Sequence, residues 1–104
     1  MEYTRQYARY PTRREAYYFL YEKMAEKQEC TIINISRKGM GVLFHCVDGI
    51  NIGESIRIEI PVATALDSIS VNGMVKWVDK TETNCMGGIE LNKELSDVKF
   101  SKLC

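Results

Sequence analysis

Hydrophobic and polar positions alternate along the chain in short runs separated by turn residues, a pattern that predicts strands. The clearest run is residues 55–60, where Ile56, Ile58 and Ile60 share one face and Ser55, Arg57 and Glu59 the other. Pro61 ends it. Residues 30–35 are short and β-branched, and Ser36-Arg37-Lys38-Gly39 is a turn signal before a second apolar strand over 40–45. Residues 69–78 form a longer run with Ile69, Val71, Val75 and Trp77 on one face. Gly73 falls on that face, where a bulge or bend would fit. Residues 84–91 make a last strand with Gly87 and Gly88 inside it. Residues 15–24 carry Tyr17, Tyr18, Phe19, Leu20 and Tyr21, which favours strand. The Glu, Ala, Lys and Met around them make helix the competing reading. Residues 1–14 read as an irregular arm, because Pro11 breaks a helix. Ser96 is placed to cap a short C-terminal helix, with Asp97 in its first turn.

Six short strands at near-even spacing predict an all-β domain, a six-stranded antiparallel barrel or sandwich. Closing such a sheet would remove most exposed edges. The expected organisation is a basic arm over residues 1–14 and a single domain with its final helix over residues 15–104.

Composition narrows the function. The chain has 104 residues, 45% hydrophobic and 27% charged, as in an ordinary globular domain. The formal net charge is zero, but it is unevenly distributed. Residues 1–14 hold four arginines against one glutamate, a balance of +3, and residues 15–104 have a balance of −3. A long nucleic acid would meet an acidic surface, so DNA and RNA are not the expected partners. A basic arm with tyrosines keeps a small nucleic-acid-binding barrel as a further alternative. No basic start leads into an apolar run, and no stretch approaches the roughly 20 apolar residues of a membrane helix. A cytoplasmic protein without membrane insertion is therefore expected. Cys30, Cys46, Cys85 and Cys104 have no zinc-type spacing and read as reduced thiols. No metal site is expected.

Catalytic motifs are missing. His45 is the one histidine, set in an apolar run, and no GxSxG, Walker A or GxGxxG occurs. The acids are scattered rather than paired, so no enzyme activity is expected.

Two short segments carry chemistry. Arg9-Tyr10-Pro11-Thr12-Arg13 is an RxxxR, flanked by Arg5 and Arg14, and Arg5 to Arg9 is a second, overlapping one. Asn34-Ile35-Ser36-Arg37-Lys38-Gly39 is an NxSxxG at a strand-to-turn junction. Arginine forks grip phosphate, or the O6/N7 edge of guanine, with two hydrogen bonds. Asn34 and Ser36, two residues apart, would point to one face and could hold a base edge or a sugar. Gly39 would allow a tight turn and leave backbone space for a ligand. Either segment alone is also what a solvated basic tail or a polar turn looks like.

Together, and in this order, they resemble the PilZ domain family, which carries RxxxR followed by [D/N]xSxxG. Arg13 and Asn34 are 21 positions apart. The resemblance runs over residues 9–95. Ile52-Gly53-Glu54-Ser55-Ile56 is similar to the family's glycine turn, Val75-Lys76-Trp77 to its tryptophan-bearing strand, and Gly88-Ile89-Glu90-Leu91 to its last strand. It implies a six-stranded barrel that binds cyclic di-GMP, with no other cofactor. By position, Arg9 and Arg13 would be the clamp, and Asn34, Ser36 and Gly39 the platform. Arg5, Arg14, Trp77 and Gly88 are secondary candidates. Two positions depart from the commoner pattern: Ala8 stands where many members have an extra arginine, and Asn34 replaces Asp. The first bears on whether one nucleotide or a stacked pair is bound. The implied output is an arm that folds over the barrel with the nucleotide and is read by a partner protein. The competing reading is an adaptor of the same fold that binds no nucleotide. A monomer or weak dimer is expected.

Overall fold

The computed structural model describes residues 8–21, 26–45, 50–62 and 68–103. Among these residues, six strands and one helix follow in chain order. They are β1 (Tyr10–Leu20), β2 (Gln28–Ile35), β3 (Gly39–Phe44), β4 (Ser55–Pro61), β5 (Ser68–Lys80), β6 (Cys85–Leu91) and α1 (Asp97–Leu103). All neighbours are antiparallel, and the sheet closes into a barrel in the order β1-β2-β3-β6-β5-β4. The last seam joins β1 to β4 through pairs from Tyr17–Glu59 to Leu20–Ile56.

The core comes from the inward half of each alternation. Ile56, Ile58 and Ile60 of β4 are fully buried, as the alternation of that segment requires. They meet Ile32 and Ile35 of β2, Met40, Val42 and Phe44 of β3, and Val75 and Ile89. Tyr18 and Phe44 pack edge to face with centroids 4.9 Å apart. Cys30 and Cys85 are buried in the same core, one on each side of Phe44 in the strand pairing. Burial, helped by the nearby Glu15 carboxylate, pushes the Cys30 thiol up to about 12, so it is inert at neutral pH.

Helix α1 docks at the end of the barrel where β1 begins. Ser96 caps it, its Oγ accepting from Lys99 N at 3.2 Å. Leu95, just before the helix, and Leu103, its last residue, are buried, and Phe100 packs on Tyr10 with ring centroids 5.7 Å apart. Arg14 donates to the carbonyls of Leu103 at 3.1 Å and Lys102 at 2.8 Å. It thereby satisfies carbonyls that a helix leaves unpaired at its C-terminus.

Two expectations about the strands change. β1 begins at Tyr10, well before residue 15. Arg13 and Arg14 therefore sit in a barrel strand rather than in an irregular arm. Pro11 is tolerated because it lies at the strand's start, beside a register shift between Pro11 and Arg14. In β5 the irregularity falls between Val75 and Trp77, not at Gly73. The extra residue turns Trp77 out of the barrel, and it is 42% exposed rather than sharing the inward face of Val75. No helix among the described residues is long and apolar enough to cross a membrane.

Candidate functional site

One transverse row of residues crosses five strands on the outside of the barrel. Pro11 pairs with Asn34, Asn34 with Gly41, Gly41 with Gly88, and Gly88 with Trp77. The register shifts of the β1–β2, β2–β3 and β5–β6 pairings all fall on this row. A bulge re-aims the side chain beside it. Here the bulge between Ile32 and Asn34 lifts Asn34 outward while Ile35 returns to the core.

The two glycines make the row shallow. A Cβ on Gly41 would lie 2.4 Å from Asn34 Nδ2, so the Asn34 amide occupies the space a side chain would take. A Cβ on Gly88 would fall within the Trp77 indole, which lies flat across β6. The result is a smooth strip with a polar amide at one end and an aromatic face at the other.

Arg9 reaches this strip from the chain preceding β1. Its Nη1 donates to Asn34 Oδ1 at 2.9 Å. The same oxygen accepts from Gly41 N at 3.0 Å, which fixes the amide orientation. The first arginine of RxxxR and the asparagine of NxSxxG, 25 residues apart, are in direct contact.

The other predicted residues take different places. Ser36 is buried, 4% exposed, and its Oγ accepts from Gly39 N at 3.0 Å and Lys38 N at 3.3 Å. It holds the turn that presents the platform rather than sharing an open face with Asn34. Gly39 sits under this turn, where a Cβ would meet Ile89 O at 2.9 Å. Arg13 is exposed on β1 and lines a crevice with Thr12, Arg14, Pro61 and Leu103 at the helix end of the barrel. Arg14 donates to the C-terminal carbonyls of α1. Arg5 lies outside the described residues. Gly41 belongs to this row yet was not singled out in the sequence. The available signal for Gly41 was its position in the strand that must pair with Asn34.

His45 bonds through Nε2 to Thr31 Oγ1 at 2.8 Å, and its Nδ1 is 4.0 Å from Glu29 Oε2. Among the described residues no group of three His, Cys, Asp or Glu side chains could hold a metal ion.

Comparison with known proteins agrees with this architecture. A family model described as the PilZ domain matches residues 3–103, and the chain belongs to that family. Among solved structures it is similar to the inhibitor of motility MotI/DgrA from Bacillus subtilis, with a TM-score of 0.72 at 17% identity. That match covers 98% of this chain and 49% of the other, so the chain spans about half the length of that protein. It is also similar to the PilZ domain of YcgR from Escherichia coli, solved with c-di-GMP, with a TM-score of 0.71 at 14% identity. Here the coverage is 95% of this chain and 85% of the other. No curated protein sequence matches the chain.

Proposed function

We propose that this PilZ domain is a cytoplasmic receptor for cyclic di-GMP, which it binds on the Asn34–Gly41–Gly88–Trp77 strip. The observation that carries the reading is the 2.9 Å bond between Arg9 and Asn34. It places a guanidinium fork beside a flat, glycine-floored surface with an aromatic at its far end. A guanine needs donors for O6 and N7, which Arg9 offers, and a flat surface to lie on. The ring phosphates need cations, and Arg13 on β1 supplies one. Trp77 offers a face for stacking. The solved complex of the YcgR domain with c-di-GMP supports the same ligand class.

In this reading Arg9 leaves Asn34 for the nucleotide, and the Asn34 amide is freed to bond the base. The segment before Tyr10 closes over the ligand. A partner protein reads the altered surface, as an order–disorder switch requires. Arg13 lies in β1, so the change centres on Arg9 rather than on all of residues 1–14. No catalytic step belongs to this reading.

Calorimetric titration with cyclic di-GMP tests it and yields the stoichiometry. The intact chain binds with measurable heat. Arg9→Ala and Arg13→Ala each weaken binding by about 1–3 kcal/mol, the scale of one bidentate arginine–guanine contact. Binding in both variants unchanged from the intact chain, or none in the intact chain, overturns the reading. A protein partner recovered equally with and without the nucleotide would point to an adaptor instead.

A further inference from the structure

The NxSxxG turn is fastened to the chain that forms α1. Leu91 N donates to Lys38 O and Leu95 N to Arg37 O, each at 2.7 Å. These backbone bonds set the position of the helix. The Arg37 side chain adds something different. Its Nη1 lies 2.5 Å from Asp97 Oδ1 in the first turn of α1, and its guanidinium carbon stands 4.7 Å over the Phe100 ring. Tyr10, Arg37, Asp97, Phe100 and Ser101 line one crevice of about 250 Å³. Tyr10 follows Arg9 in sequence and pairs with Ile35, the neighbour of Asn34. Arg37 thus stands on the turn between Asn34 and Gly39, and a Cβ on Gly39 would lie 3.7 Å from Arg9 Nη2.

Its partner is a weak one. The Arg37 side chain is 37% exposed and that of Asp97 89%. An ion pair this open to water gives little stability. The helix keeps its cap at Ser96, its anchors at Leu95 and Leu103, and the Arg14 bonds without it. A phosphodiester on the strip offers the same guanidinium two oxygens in a matching fork. One guanidinium cannot hold both anions in full, so the carboxylate and the phosphate compete.

We propose that Arg37 is a further phosphate-binding residue of this site, with Asp97 of α1 as its intramolecular competitor. The proposal rests on the cyclic di-GMP reading above and adds the route by which occupancy reaches the helix. Binding draws Arg37 from Asp97 and leaves an unpaired carboxylate exposed on the first turn of α1. By linkage, whatever holds Asp97 elsewhere tightens nucleotide binding by the same factor.

A double-mutant cycle, read by calorimetry with cyclic di-GMP at fixed ionic strength, tests this. Asp97→Asn tightens binding about two- to fivefold, the scale of one exposed ion pair. Arg37→Ala weakens it about tenfold or more, the scale of a hydrogen bond to a charged group. Arg37→Lys, which keeps the charge and the stem but not the fork, falls between. In the Arg37→Ala background, Asp97→Asn has no effect. Asp79→Asn removes the same charge from an exposed position on β5 and changes affinity less than twofold. Equal tightening by Asp97→Asn in both backgrounds would mean long-range charge alone and overturns the proposal. So does unchanged affinity in Arg37→Ala. If the intact chain binds, Arg9→Ala weakens it and the cycle is additive, this inference falls and the receptor reading stands. No binding by the intact chain overturns both.

Discussion

Gly41→Ala weakens cyclic di-GMP binding roughly ten- to hundredfold while the barrel stays folded, the scale of losing a specific polar contact to a base. A Cβ at this position would stand 2.4 Å from Asn34 Nδ2 and 2.9 Å from its Cγ and Oδ1. The atoms in the way are the end of a side chain, so Asn34 rotates off its seat and the backbone need not move. The bond from Gly41 N to Asn34 Oδ1 is lost with that rotation, and so is the contact with Arg9. The strip is left with a displaced amide that no longer meets the base. The variant therefore separates site from fold. Its melting temperature changes little, while calorimetry shows the loss. Intact affinity in Gly41→Ala would show that the nucleotide does not use Asn34 in this position.

Phe44→Ala destabilises the fold by about 3–5 kcal/mol, the range for a buried phenylalanine truncated to alanine. Phe44 is 2% exposed and lies edge-on to Tyr18 with centroids 4.9 Å apart. Its ring also crosses β6 beside Gly87, where a Cβ would come within 2.7 Å of Phe44 Cε2. The space is closed by strands on both sides, paired through Cys30 and Cys85, so it cannot collapse readily when the ring is removed. Domains of this size have a total stability of roughly 5–15 kcal/mol, so the variant loses a large share of it. Urea unfolding followed by circular dichroism reads the change. A loss under about 1 kcal/mol would contradict the packing described here.

Much of this architecture was legible in the chain, for reasons that differ by element. β4 was read correctly because Ser55–Pro61 faces core and water on strictly alternate residues. The start of β1 was not legible, because proline normally argues against a strand interior. Only the adjacent register shift lets Pro11 sit there. Trp77 was placed inside by counting twos from Ile69. One extra residue before it reverses that phase, and an exposed lysine at an extra position looks like any other exposed lysine. In the candidate site, the meeting of Arg9 with Asn34 followed the motif pair. The role of Ser36 did not, because a serine at a strand end can turn its hydroxyl back onto its own loop amides. The ion pair of Arg37 with Asp97 spans 60 residues and carries no local signature.

The chain contains a single tryptophan, and that residue lies on the proposed seat of the nucleotide. Emission of Trp77 during titration with cyclic di-GMP therefore tests the central claim most directly. The account predicts a saturable change in emission whose midpoint matches the calorimetric affinity, and which vanishes in the Arg9→Ala/Arg13→Ala double variant. Calorimetric binding with no change in Trp77 emission would place the nucleotide elsewhere on the barrel and contradict it.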